Sequence, residues 1–239
     1  MLEMEISPKQ LAGEYAVRYV KSGMTVGLGT GSTVYFTLHK LGQYLREGRL
    51  RDLVGVPTSV QTERLAAQFG IPLTTLEEHE SIDVTIDGAD EVDPELNLIK
   101  GLGGALVREK IVATVSKRLV IVVDESKRVQ QLGTRAPLPV EVVPFGWRTV
   151  LSYVRTLGGD PVLRLDAGGK PYLTDNGNLI LDCRFPGITD PAELEQRLNN
   201  RAGVVENGLF LGLTSVVIWA GKEGVQVLTK GQDPVPAAI

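Results

Sequence analysis

The chain has 239 residues, 43% of them apolar and 23% charged, and its 25 Lys and Arg stand against 29 Asp and Glu for a formal net charge of −4. This is the composition of a globular protein long enough for one large or two modest cores, and the slight acidity excludes a nucleic-acid binder that works through a general positive field. The strongest apolar runs, at 119–123 and 216–220, fall far short of a membrane helix, while a single cysteine, Cys183, and two histidines, His39 and His79, exclude an intramolecular disulfide and a Cys- or His-rich metal centre.

The acidic start at 1–5 carries no apolar signal core, so a cytoplasmic setting is expected. Ser7-Pro8 reads as a helix cap followed by proline at the first helical position. Leu11, Tyr15 and Tyr19, with Ala12 and Ala16, recur at helical spacing before Gly23. A short strand is predicted at 25–28. After the glycine-rich stretch 27–33 comes a helix with Val34, Leu38, Leu41 and Leu45 on one face. Residues 53–56 read as a strand, and Thr58-Ser59-Val60-Gln61 as a capping box for a helix running to Gly70. Strands are predicted at 72–76 and 83–87, a helix at 103–116, and a buried strand at 118–124. Short apolar strands separated by helices indicate a parallel sheet covered by helices.

The pattern then changes. Residues 140–143 read as a strand, 146–157 as a helix, 161–165 and 179–185 as two strands around a turn-rich segment, 190–200 as a helix, and 204–210 as a final strand. Strand-helix-strand-strand-helix-strand is the ferredoxin-like split βαβ pattern. Strands at 215–220 and 225–229 follow and are expected to return to the first domain, with 232–239 as a frayed tail. The expected architecture is therefore α/β. A Rossmann-like parallel-sheet domain spans 1–133 and 209–239, and a smaller α+β, ferredoxin-like domain is inserted at 134–208, entered through the Pro-rich stretch 135–139.

Three segments that follow predicted strands draw attention, because ligands of open α/β sheets bind at the carboxyl ends of strands. In Gly27-Leu28-Gly29-Thr30-Gly31-Ser32-Thr33, hydroxyls, backbone N–H groups and a helix N-terminus suit a phosphate. No Gly-Lys-Ser/Thr closes the segment, so it is not a P-loop, and a plain strand-to-helix turn reads equally well. Asp87-Gly88-Ala89-Asp90-Glu91-Val92-Asp93 crowds four carboxylates into seven residues. It fails as an EF-hand, with Ala89 and Val92 where an oxygen ligand and glycine belong, and by composition it reads as an exposed acidic turn. Lys100-Gly101-Leu102-Gly103-Gly104-Ala105 leads into Leu106-Val107-Arg108-Glu109-Lys110. There Lys100 and Glu109 face one ligand, or Glu109 is a solvated helical charge. Lys127 follows another strand and Lys9 lies in the first helix; both read by default as surface lysines. Cys183 reads as a small core residue rather than a nucleophile.

These segments, with Asp124-Glu125-Ser126-Lys127, occur in an order and at spacings that strongly resemble the type A ribose-5-phosphate isomerases, and the resemblance spans essentially the whole chain. It implies the interconversion of D-ribose 5-phosphate and D-ribulose 5-phosphate in the non-oxidative pentose phosphate pathway, with no metal or organic cofactor. By resemblance, Glu109 is the base that moves a proton between C2 and C1. Asp87 and Lys100 handle the sugar hydroxyls, ring opening and the charge on the enediolate. Asp90, with Gly88, Ala89 and Gly101, lines the substrate. Thr30, Gly31, Ser32, Thr33, Lys127 and Lys9 bind it, chiefly at the phosphate end. The family usually has glycine where this chain has Leu102. The implied partners are a pentose 5-phosphate and a second copy of the chain, as a homodimer or in some relatives a tetramer, with no nucleic acid and no membrane. The alternative is a sugar-phosphate sensor on the same scaffold type, which also serves amino-sugar phosphate deaminases and coenzyme A transferases. A sensor has no need of Glu109, Lys100, Asp87 and Asp90 together.

Overall fold

The structure, a computed structural model, describes residues 7–232 and 234–237. The acidic start at 1–5 and residues 233, 238 and 239 of the tail lie outside these. In chain order the first elements are α1 (Pro8–Ala16), β1 (Thr25–Leu28), α2 (Val34–Arg46), β2 (Val54–Pro57), α3 (Val60–Gln68), β3 (Val84–Asp87), β4 (Glu91–Val92), β5 (Leu98–Ile99), α4 (Leu106–Thr114) and β6 (Leu119–Asp124). The rest are β7 (Leu138–Val142), α5 (Trp147–Thr156), β8 (Asp160–Leu163), β9 (Leu179–Arg184), α6 (Pro191–Asn199), β10 (Val204–Asn207), β11 (Leu209–Phe210), β12 (Val216–Gly221), β13 (Gly224–Thr229) and β14 (Val235–Pro236). Among the described residues no helix is long and apolar enough to cross a membrane.

The chain divides into two compact units. One is drawn from Met1–Gly88, Ile111–Lys127 and Leu213–Ile239, the other from Ala89–Lys110 and Arg128–Gly212. The first unit holds a seven-stranded sheet in the order β14-β13-β12-β6-β3-β1-β2. Strands β2, β1, β3, β6 and β12 are parallel; β13 and β14 are antiparallel. Val26, Leu28, Val84, Ile86, Val120 and Val122 are buried against Ala12 and Ala16 of α1 and Leu38 and Leu41 of α2. A smaller cluster of Val56, Ile82 and Val112 adds a second core. Strands without polar alternation are what burial on both sheet faces requires, and the parallel core with its helices is Rossmann-like.

Local chemistry sets the helix ends. The Ser7 hydroxyl accepts from the Gln10 N–H at 3.2 Å, with Pro8 at the first helical position. The second cap differs from expectation: Ser59, not Thr58, caps α3 by accepting from the Thr62 N–H at 3.0 Å. Thr58 is withheld because its hydroxyl donates to the Leu28 carbonyl at 3.0 Å. The strand expected at 72–76 shrinks to one bridge between Gly55 and Leu73. Pro72 has no N–H to extend the ladder there. The tail, expected to fray, instead supplies β14, whose Val235 and Pro236 pair with Val227 and Gln226.

The second unit holds a four-stranded antiparallel sheet in the order β10-β7-β9-β8. With α5 and α6 this is the ferredoxin-like order. Its core joins Leu138, Val140, Leu181 and Cys183 to Val150 and Val154 of α5 and Leu198 of α6. Burial pushes the Cys183 thiol far above its ordinary range, as expected of a packing residue. Residues 89–110, assigned from sequence to the first domain, group with this unit. The reason is β5, which pairs with β4 on one side and β11 on the other.

The strand expected at 204–210 is divided between two sheets, β10 pairing with β7 and β11 with β5. The division falls at Gly208, whose N–H donates to Pro139 O at 2.8 Å and whose carbonyl accepts from Lys100 N at 2.9 Å. A Cβ on Gly208 would stand 2.2 Å from the Lys100 carbonyl oxygen. Gly208→Ala must therefore move backbone. It is expected to lose about 1–3 kcal/mol of stability and to displace the backbone of Lys100. Thermal unfolding checks the loss.

Candidate active site

In the first unit β1 has β2 on one side and β3 on the other. The chain leaves β1 for β2 and then crosses back to β3, so the carboxyl ends of β1 and β3 form the switch point at which open α/β sheets bind ligands. The turn after β1 lies directly against Asp87 at the end of β3. A Cβ on Gly29 would stand 2.3 Å from Asp87 Oδ1, so only glycine lets the turn come this close. Asp87 is 1% exposed, and its Oδ1 accepts from Thr30 N at 3.0 Å and Gly88 N at 2.7 Å. Two backbone donors fix the orientation of a buried carboxylate.

Thr30 differs from the other members of its segment. Its hydroxyl lies among those of Thr58 at 2.8 Å, Ser59 at 2.8 Å and Thr62 at 3.0 Å, and Thr62 donates in turn to Gly29 O at 2.8 Å. These bonds bind the turn to α3, so Thr30 shapes the turn from beneath. Thr33 is also buried. Gly31 and Ser32 are exposed, Gly31 with φ of +130°, and Lys9 Nζ donates to Ser32 Oγ at 3.0 Å. A cavity of about 460 Å³ beside them is lined by Lys9, Gly29, Gly31, Ser32, Tyr35 and Gln61, among others. The N-terminus of α2 begins here with no side-chain cap from Thr33. A helix N-terminus, exposed backbone and an ammonium around one cavity suit a phosphate. Lys127 stands on the short 3₁₀ turn Glu125–Lys127 after β6, the strand next to β3, and does not line this cavity.

In the second unit Lys100 follows β5 and Glu109 lies in the first turn of α4. Their side chains are 3% and 5% exposed, with Lys100 Nζ 3.3 Å from Glu109 Oε1. The Lys100 ammonium also stands 5.4 Å from the centre of the fully buried Phe210 ring. Burying both charges carries a large desolvation penalty, so such a pair is weak evidence for stability and better evidence for chemistry. Asp90 Oδ2 accepts from Leu102 N at 2.9 Å, fastening the loop between them. Gly101 carries the left-handed φ, +110°, whereas Leu102 does not, and the Leu102 side chain is exposed. Leucine is thus accommodated there without backbone strain. The neighbouring Lys110 turns to other partners, Glu206 at 2.8 Å and Glu195 at 3.4 Å.

The acidic run 87–93 is neither an exposed turn nor one centre. Asp87 and Asp90 are held as described. Glu91 is fully buried and accepts from the N–H groups of Gly133, Arg135 and Ala136. Asp93 closes a turn by accepting from Glu95 N and Asn97 N, and burial holds its carboxyl above the usual range. Among the described residues no group of three His, Cys, Asp or Glu side chains is arranged to hold a metal ion. Glu91 falls within the acidic run read as an exposed turn and Phe210 ends the strand expected at 204–210; neither is given a role from sequence, because the partners that bury them are distant in the chain.

A glycine turn at a sheet switch point in one unit and a buried ammonium–carboxylate pair in the other are features of an α/β enzyme. A family model described as ribose 5-phosphate isomerase A (phosphoriboisomerase A) matches residues 54–224, and the chain belongs to that family. A ribose-5-phosphate isomerase A of Roseiflexus castenholzii is 54% identical over 217 residues, covering 91% of this chain and 93% of its own length. Ribose 5-phosphate isomerase from Plasmodium falciparum superposes with a TM-score of 0.92 at 43% identity, covering 95% of this chain and 100% of that one. A D-ribose-5-phosphate isomerase in complex with phospho-erythronic acid gives a TM-score of 0.91 at 42% identity, over 92% of this chain and 97% of that one.

Proposed function

We propose that the chain interconverts D-ribose 5-phosphate and D-ribulose 5-phosphate with Glu109 as the group that carries the proton. The Glu109 carboxylate takes the proton from C2 of the open-chain aldose, and the electron pair moves through the new C1–C2 double bond onto O1. The resulting enediolate oxygen is stabilised by the Lys100 ammonium, a contribution of a few kcal/mol for a donor in a dry site. Glu109 returns the proton to C1 as the hydroxyl proton on O2 passes to O1, leaving the carbonyl at C2. One carboxylate serves both carbons because they are adjacent. Asp87 acts on the sugar hydroxyls and ring opening, and Asp90, Gly88, Ala89 and Gly101 line the substrate. The phosphate falls to Gly31, Ser32 and Lys9 at the start of α2, with Lys127 as a further cation. Thr30 and Thr33 contribute through the shape of the turn. Phosphate binding away from C1 and C2 holds the sugar in register.

The buried Lys100–Glu109 contact of 3.3 Å carries this reading. Formation of ribulose 5-phosphate from ribose 5-phosphate by the purified chain tests it, and saturable binding without turnover would overturn it in favour of a sensor. Exhaustive chelation is expected to leave full activity. Loss of activity restored by a divalent ion would contradict the metal-free course. The reading includes a cytoplasmic homodimer, supported by the single cysteine and by family membership. Light scattering of the eluting protein tests the dimer against a tetramer.

A further inference from the structure

We propose that Arg164 is a positioning residue for the isomerisation, holding the carbonyls of the loop that carries Lys100 while Asp90 holds an N–H of it. Arg164 follows β8, and its side chain is 12% exposed. Its Nε and Nη2 donate to Asp182 Oδ2 at 2.8 Å and Oδ1 at 2.5 Å, a bidentate pair with the neighbouring strand β9. The remaining nitrogen, Nη1, donates to two successive loop carbonyls, Gly101 O at 2.9 Å and Leu102 O at 3.1 Å. Asp90 accepts the Leu102 N–H at 2.9 Å. Residue 102 is therefore gripped at its N–H by one charged side chain and at its carbonyl by another.

The same arm makes two further contacts. Tyr172, whose N–H donates to Arg164 O at 2.9 Å, lays its hydroxyl against Gly104. Arg108, beside Glu109 on α4, donates from Nε to Asn176 Oδ1 at 3.0 Å and from Nη2 to Asp175 O at 3.1 Å. The stretch 164–176 thus braces both the lysine loop and the first turn of α4. An ammonium cannot reproduce this arrangement, because only a planar guanidinium presents a fork to Asp182 while keeping a third nitrogen aimed at the loop.

The inference rests on the roles given above to Lys100 and Glu109, since a misplacement of about 1 Å in a reacting group is enough to cost on the order of a hundredfold in rate. Arg164→Met, assayed well below its Tm, is expected to lower kcat at least tenfold with KM changed less than about threefold, while the loss of Asp182's partner lowers Tm as well. Arg164→Lys keeps charge and fold and is expected to lose roughly tenfold. Guanidinium at tens of millimolar is expected to restore part of the activity of Arg164→Ala. Wild-type kcat in Arg164→Lys and Arg164→Met, or in Arg164→Lys alone if the methionine variant does not fold, overturns the proposal. So does a loss of kcat that follows loss of Tm and shows no rescue. Lys100→Met separates the two levels. Full turnover in that variant removes the role of Lys100 itself, whereas an inactive Lys100→Met beside a fully active Arg164→Lys removes only the brace.

Discussion

Glu109→Gln is expected to lower kcat by about a thousandfold or more while leaving KM within roughly tenfold. Glutamine matches glutamate in volume, so the first turn of α4 and the loop before it keep their shape. It has no basic oxygen able to take a carbon-bound proton. The substitution also removes a carboxylate 3.3 Å from an ammonium that is 3% exposed, so some loss of stability accompanies it. Assay well below the Tm of Glu109→Gln separates these effects, because the variant is then as fully folded as the wild type. Lost turnover in that folded variant assigns the loss to chemistry. Exchange of the C2 hydrogen with deuterated solvent gives a second readout, expected to disappear in the variant. Near-normal kcat in Glu109→Gln would exclude Glu109 as the base.

Glu91→Ala is expected to produce the largest fall in stability, roughly 3–5 kcal/mol, because it removes a buried charged acceptor from several donors at once. Glu91 Oε1 accepts from Arg135 N at 2.6 Å and Ala136 N at 2.7 Å, and Oε2 from Gly133 N at 2.6 Å. The carboxylate is 0% exposed, so water does not replace it at those donors without opening the structure. The three N–H groups belong to the stretch that leads into β7, and their release loosens the start of the central strand pair β7–β9. A loss of this size lowers Tm by on the order of 10 °C for a chain of this length. Glu91→Gln keeps one carbonyl acceptor but turns an amide N–H₂ toward donors, and falls between. An unchanged urea midpoint in Glu91→Ala would show that the backbone finds other acceptors.

The sequence makes an element legible where its cause is local. Ser7-Pro8 marks the start of α1, and the uninterrupted run Leu119–Asp124 marks β6, because the cap and the strand each depend on neighbouring residues. Strands β4, β5 and β11 have two residues each, too few to show a period, and exist only because they pair with one another. The division at Gly208 is invisible for the same reason: its cause is the Lys100 carbonyl, more than a hundred residues earlier. The cap moved from Thr58 to Ser59 because a distant carbonyl, Leu28 O, claims the threonine hydroxyl.

The candidate site divides in the same way. The chemistry-bearing types at 87, 100 and 109 stood out because the segments that carry them follow one another in a fixed order. Which side of Thr30 faces inward was set by Thr58 and Ser59 just before α3 and Thr62 within it. Arg164 had no motif of its own; its meaning comes from four hydrogen bonds to Asp182, Gly101 and Leu102.

The lone sulfhydryl at position 183 is sealed in the ferredoxin-like core, and its reactivity is suppressed by burial. The native surface therefore offers nothing for maleimides to attack, and a cysteine placed at the outward-facing Leu102 would be the sole address for a spin or fluorescent label. Such a reporter would let the lysine loop be watched during turnover without first stripping the chain of competing thiols.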